Sequence, residues 1–198
     1  GRAELLTHLA ESWWHEVVLL YAAAGNASPL LRDILALPDD MFQNNLLLAA
    51  ECLEDRLRVD PEVEKTVLDQ LAHIVRKSPF ANLRRNVFYA LTKLAGGSNP
   101  TQAVECLVML LQDADPFVCI QTISQLGSRI SIIRSKPKIK SVFSSKLTTD
   151  NLDIRVAAIK ALRRSSPLNM EVLPDFIPLL LNFLNDQQPR VRIAAIEA

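Results

Sequence analysis

Three histidines, three cysteines, one glycine pair and one basic stretch are the places where this 198-residue chain could do chemistry. His15-Glu16 begins like the zinc-binding HExxH pattern, which needs a second histidine one helical turn on to complete the ligand set. Val17-Val18-Leu19 follow instead, and His8, His15 and His73 are far apart in sequence. Gly96-Gly97-Ser98-Asn99-Pro100 shares two glycines with a phosphate loop. It lacks the Gly-Lys-Ser/Thr ending that supplies a cation and a metal-binding hydroxyl, so it reads as a helix C-cap and turn. Cys52, Cys106 and Cys119 show no CxxC spacing, lie in apolar helical patterns and have no basic neighbour to lower a thiol pKa. They read as buried thiols of a reducing, cytoplasmic compartment. No GxSxG elbow exists. The residues therefore predict no catalytic constellation, no cofactor and no metal.

Charge is the remaining chemical signal. The chain balances 22 Lys+Arg against 22 Asp+Glu. Residues 1–75 nevertheless carry five basic and thirteen acidic groups, while residues 129–164 carry ten basic and two acidic. A segment of net +8 attracts anions, so Lys136, Lys138, Lys140, Arg163 and Arg164 are candidate contacts to a partner or to phosphate. Phe143 is the aromatic residue of that stretch and its spacing assigns it to a core, which leaves no stacking platform for single strands. Nucleic acid is therefore disfavoured as a partner. The adjacent Trp13 and Trp14 are candidates for an interface anchor, although such a pair is expected to place one ring in the core and leave the other half exposed.

Such side chains need a frame, and composition limits it. Hydrophobic residues make up 49% of the chain, with 5 Gly and 6% aromatics, which favours helices over a turn-rich β-sandwich. The longest uninterrupted apolar run, Val17 to Ala24, is far shorter than the roughly 20 residues needed to cross a bilayer, so no membrane partner is expected. Four segments then align without gaps, beginning at Leu83, Val118, Ile154 and Val191, with apolar or small residues on one helical stripe. Each follows another helical pattern, such as Val63, Val67, Leu68, Leu71, Ile74 and Val75, so the repeating unit is a helical hairpin. Asp60-Pro61, Asn99-Pro100 and Asp115-Pro116 place a capping side chain before a proline at helix starts. Pro178 is expected to kink or restart the apolar pattern running from Val172 to Leu184. A short or irregular helix is expected over Lys138 to Leu147, after a basic connection. Ahead of residue 60, Ser12 to Ala24, Pro29 to Leu37 and Asp40 to Leu57 read as three helices, the last buried because Leu46-Leu47-Leu48-Ala49-Ala50 is apolar nearly all round.

A hairpin of this length with a turn Asp and an apolar-Arg pair in its second helix resembles the HEAT repeat. The likeness is best in the unit from Ile177 to Ile196, with Asn185-Asp186 at the turn and Val191-Arg192 after it, and it covers about 60–198. It implies an all-α fold, an α-solenoid of HEAT-like hairpins wound as a right-handed superhelix, with repeats near 59–97, 98–134, 135–167 and 168–198. It also implies a structural Asp/Arg ladder, for which Asp150 or Asp153 with Arg155, and Asp186 with Arg192, fit. Cys119 stands where the ladder Arg is expected, so the ladder should break there. Residues 4–57 carry a second likeness. Trp13-Trp14-His15-Glu16-Val17-Val18 and the stretch from Asp39 to Leu53 are similar to the helical segment that follows the nucleotide-binding module of bacterial NACHT-type STAND NTPases. This marks 1–58 as a separate helical segment. Ile193 and Ile196 lie on a stripe that a following hairpin or polar cap would cover, so the chain reads as a fragment of a longer array.

The functional expectation is a non-catalytic regulatory or sensor arm of a signalling NTPase, binding a protein partner or an adjacent domain of the same chain, with the NTPase domain upstream. A free-standing HEAT adaptor is the alternative. A nucleic-acid binder using residues 129–164 comes last. Oligomeric state and trigger are not readable from the residues.

Overall fold

The computed structural model describes residues 2–9, 11, 13–54, 58–97, 100–163 and 176–198. Thirteen helices are present among them: α1 (Arg2–Thr7), α2 (Trp14–Ala23), α3 (Ser28–Ala36), α4 (Asn44–Cys52), α5 (Pro61–Lys77), α6 (Ala81–Gly96), α7 (Thr101–Leu111), α8 (Pro116–Gly127), α9 (Ile130–Ser135), α10 (Pro137–Leu147), α11 (Leu152–Arg163), α12 (Ile177–Phe183) and α13 (Pro189–Glu197). The described residues form no strand, and a single parallel bridge links Asn26 and Arg58. They fall into two compact units, 1–106 and 107–198.

In the first unit the amphipathic pattern of α5 buries Val63, Val67, Leu68, Leu71, Ile74 and Val75, the whole stripe expected of it. Glu62 and Glu64 in its first turn, and Arg76 and Lys77 in its last, oppose the helix dipole and favour those ends. This stripe packs on α6, which buries Val87, Phe88, Leu91 and Leu94. The hairpin α3–α4 sits beside α5–α6, first helix on first helix and second on second. Full burial of each such Leu, Ile or Phe contributes about 1.5–3 kcal/mol, which is why the shared faces hold the hairpins together.

In the second unit α11 is the central helix, packed between α8 and α13 and backed by α10. Ile154, Val156, Ala158, Ile159, Ala161 and Leu162 are all buried on it. On the other layer Ile139, Phe143 and Leu147 of α10 are buried, and the Phe143 ring meets Phe176 edge-on at 6.2 Å. Successive hairpins thus share their apolar sides within each unit, the stacking of an all-α solenoid.

Several local expectations differ from the structure. Four helices, not three, precede residue 60, because α1 forms as well. α4 begins at Asn44 instead of Asp40, since Gln43 takes a left-handed conformation (φ 58°) that no helix interior tolerates. The Asp39 and Asp40 carboxylates then accept the N–H groups of Asn44, Asn45 and Leu46 and fix the start there. Asp115 caps α8 by accepting from the Phe117 N–H at 2.9 Å. Asp60 does not cap α5; its carboxylate is drawn to Arg32, and its own N–H donates to Ser28 Oγ. Asn99 lies outside the described residues, as does the part of the Val172–Leu184 pattern before Phe176. Pro178 sits in the first turn of α12, where its missing N–H costs nothing. The helix over 138–147 is regular, 11 residues long, and begins at Pro137. The connection before it contains the short α9, which buries Ile130, Ile132 and Ile133; six residues are too few for periodicity to register.

Candidate functional site

The second helices α8, α11 and α13 lie side by side and run in the same direction. Their carboxyl ends meet where Gly127 faces Ala161: a Cβ added at Gly127 would lie 2.7 Å from the Ala161 Cβ, so only glycine allows this approach. Also at that end, Arg163 Nη1 is 3.5 Å from Glu197 Oε2. At the amino ends Arg190 Nη2 donates to Asp153 Oδ1 at 2.8 Å. α13 is therefore tied to α11 by an ion pair at each end.

Between these helices opens a cleft of about 710 Å³. Ala157 and Ala161 of the middle helix contribute small side chains, and Ile120 and Ser124 of α8 line the cleft opposite Arg190 and Glu197 of α13. Lys160 and Arg163 project into it from α11. The cleft can hold an extended, partly apolar ligand; its ionic groups are exposed and spread along its length instead of converging on one atom.

The expected basic candidates divide. Arg163 lines the cleft, whereas Lys136, Lys138 and Lys140 belong to the start of α10 in the other layer and do not. Arg164 lies outside the described residues. The Asp and Arg candidates pair differently from the expected scheme. Arg155 reaches Asp186 of the next hairpin, Nη1 to Oδ2 3.5 Å, with both side chains mostly buried. Asp153 belongs to Arg190 and not to Arg155. Arg192 donates to the backbone carbonyls of Asp186 (2.8 Å) and Gln187 (3.1 Å), leaving the Asp186 carboxylate to Arg155. Asp150 is exposed in the turn before α11.

Except at Arg155, which reaches forward to Asp186, the aligned residue of each second helix serves the turn that precedes it. Arg84 donates to the Ser78 carbonyl at the end of α5, as Arg192 does to that of Asp186. Cys119, at the same position of α8, is buried and its thiol donates to the Leu111 carbonyl at 3.0 Å, a neutral substitute for the guanidinium. Burial raises the Cys119 thiol pKa, and pushes that of Cys106 up to about 12, so neither thiol ionises readily. Arg190 and Glu197 were missed by sequence reasoning. The 37-residue offset from Asp153 to Arg190, one step of the repeat register, was the signal that could have found the first pair.

The amino-terminal aromatic group differs too. Trp13 is 64% exposed, and Trp14 is half-buried with its indole Nε1 out of contact with solvent. The His8 ring stacks on Trp14 at 4.5 Å, and His15 Nε2 lies 2.7 Å from Glu51 Oε2, joining α2 to α4. Among the described residues no group of three His, Cys, Asp or Glu side chains is placed to hold a metal, and no helix is long and apolar enough to cross a membrane.

The HEAT repeat family matches residues 176–198, the segment that forms α12 and α13. No curated protein matches the chain. Among solved structures the chain is similar to a designed armadillo repeat protein, at 16% identity over 100% of this chain and 98% of that one, with a TM-score of 0.37. It is also similar to a computationally designed armadillo repeat protein for modular peptide recognition, at 16% identity over the same shares, with a TM-score of 0.39. Likeness of that degree says nothing of what this chain binds.

Proposed function

We propose that this chain is a non-catalytic scaffold that binds a segment of a partner protein in the cleft across α8, α11 and α13. The observation that carries the reading is the cleft itself. Three parallel second helices present small and apolar side chains between exposed ion pairs, a surface that offers area and charge along a line. Repeat stacking suits this role because each hairpin stacked in 107–198 adds a strip beside its neighbour. The test is selection from a random peptide display library followed by Ala157→Trp, which fills the cleft from a half-exposed position. Peptides enriched on the native chain are expected to lose binding to the variant while its melting is unchanged. Enriched peptides indifferent to Ala157→Trp, or no enrichment at all, would overturn the assignment.

On the likeness of residues 4–57 we further propose that the scaffold is the sensor arm of a signalling NTPase and biases the nucleotide state of a module encoded upstream. The open reading frame decides: a P-loop before Gly1 is the expected finding, and a start codon close by would make the chain a free-standing adaptor.

A further inference from the structure

We infer that the cleft across α8, α11 and α13 accepts an acidic, extended peptide segment, with Lys160 receiving a ligand carboxylate. This rests on the assignment of the cleft as the partner-binding surface and adds the chemistry of the partner. Three cations, Lys160, Arg163 and Arg190, line the cleft against two carboxylates, Asp153 and Glu197. Each carboxylate already faces an arginine, at 2.8 Å and 3.5 Å. Lys160 has no ion-pair partner among the described residues and is exposed. An incoming anion therefore meets an uncommitted ammonium and, three residues on, a loosely held guanidinium.

The wider field has the same sign. Residues 107–198 carry twelve basic and eight acidic groups, net +4. Such a field raises the local concentration of anionic ligands and speeds their arrival. The span from Asp153 to Arg163 is ten residues of helix, about 15 Å at 1.5 Å per residue, which matches four to five residues of extended chain. Ala157, Ala161, Ile120 and Val156 offer an apolar surface for one hydrophobic side chain between the acids. A nucleic acid suits the cleft less well, because carboxylates stand at both of its ends and no aromatic ring lines it for base stacking.

The test uses fluorescence anisotropy with three labelled peptides, Glu-Glu-Leu-Glu-Glu and its Gln and Lys counterparts, together with a single-stranded oligonucleotide. The Glu peptide is expected to bind most tightly, and to weaken as NaCl rises from about 50 to about 300 mM, because exposed ionic contacts are screened. Lys160→Glu should lower its affinity about tenfold and Lys160→Met about threefold, since the first adds repulsion and the second only removes attraction. The double variant Lys136→Glu/Lys138→Glu, on the other layer, should leave affinity within about twofold. Equal binding of the Glu and Gln peptides, tighter binding of the Lys peptide or the oligonucleotide, or indifference to both Lys160 variants would overturn the inference. Ala157→Trp separates the two claims: a Gln peptide that binds as well as the Glu peptide and is lost in that variant removes the acidic ligand but keeps the cleft as a protein-binding site. Absence of binding by all probes removes the acidic ligand, and the library selection then decides the cleft.

Discussion

Asp40 shares the capping of α4 with Asp39, and its ionisation strengthens the bond to the Asn44 N–H at the helix start. It accepts the Asn44 N–H at 3.2 Å, the Asn44 Nδ2 at 2.7 Å and the Phe42 N–H at 3.0 Å. The backbone hydrogen bond from Asn44 is the largest of the causes that hold its pKa below the ordinary value of 3.8. A folded-state value lower than the unfolded one means that the stabilisation is fully present above the ordinary value and is lost as pH falls through the folded one. The amide resonances of Phe42 and Asn44 should therefore titrate together below pH 3.8, and Asp40→Ala should abolish that transition while leaving distant amides unmoved. Sequence showed that a break lay at Pro38-Asp39-Asp40 but not on which residue the helix began, because a left-handed Gln43 carries no compositional mark. Trp13 and Trp14 show the same limit in reverse. The pair predicts one ring in the core, whereas Trp14 lies half-buried under the His8 ring with its Nε1 buried and unpaired among the described residues.

At the level of the helix, pattern was highly informative where stripes were long and weak where elements were short. The burial of α5, α6, α8 and α11 follows directly from their three-four spacing, whereas α1 and α9, six residues each, left no periodic trace. The repeat register sets α8 beside α11, but how closely the two approach was not legible, since it depends on the absence of a side chain at Gly127. A methyl group at Gly127 would lie 2.7 Å from the Ala161 Cβ and 2.8 Å from its Cα and carbonyl oxygen. The backbone atoms cannot rotate away, so Gly127→Ala should cost about 2–3 kcal/mol of overpacking against about 1 kcal/mol gained in helix propensity. The melting temperature is expected to fall, and Ala161→Gly in the same chain should restore part of it, because only the Cβ clash is relieved. A melting temperature at or above that of the native chain would show that the two helices part freely.

For the molecule as a whole, the important property is that long-range contacts recur at nearly constant separation. Ile159, fully buried on α11, lies at the centre of this arrangement in residues 107–198. Ile159→Asp would bury an unpaired charge between hairpins and should cost more than about 4 kcal/mol, enough to melt at least two neighbouring repeats together. Calorimetry should show loss or strong downshift of a cooperative transition; unchanged melting would contradict the register. The repeat period was legible in the sequence and so was the fold, while the cleft was not, because it is made by residues on three helices that only stacking brings together. That regularity has a consequence for editing the chain. His15 meets Glu51 across 36 residues, Glu54 meets Lys93 across 39, and Arg163 meets Glu197 across 34. Excising one whole period between equivalent turns would give each helix a substitute neighbour of the same kind. Deleting a single residue inside α11 would instead turn everything beyond it by about 100°, and no substitute would face it.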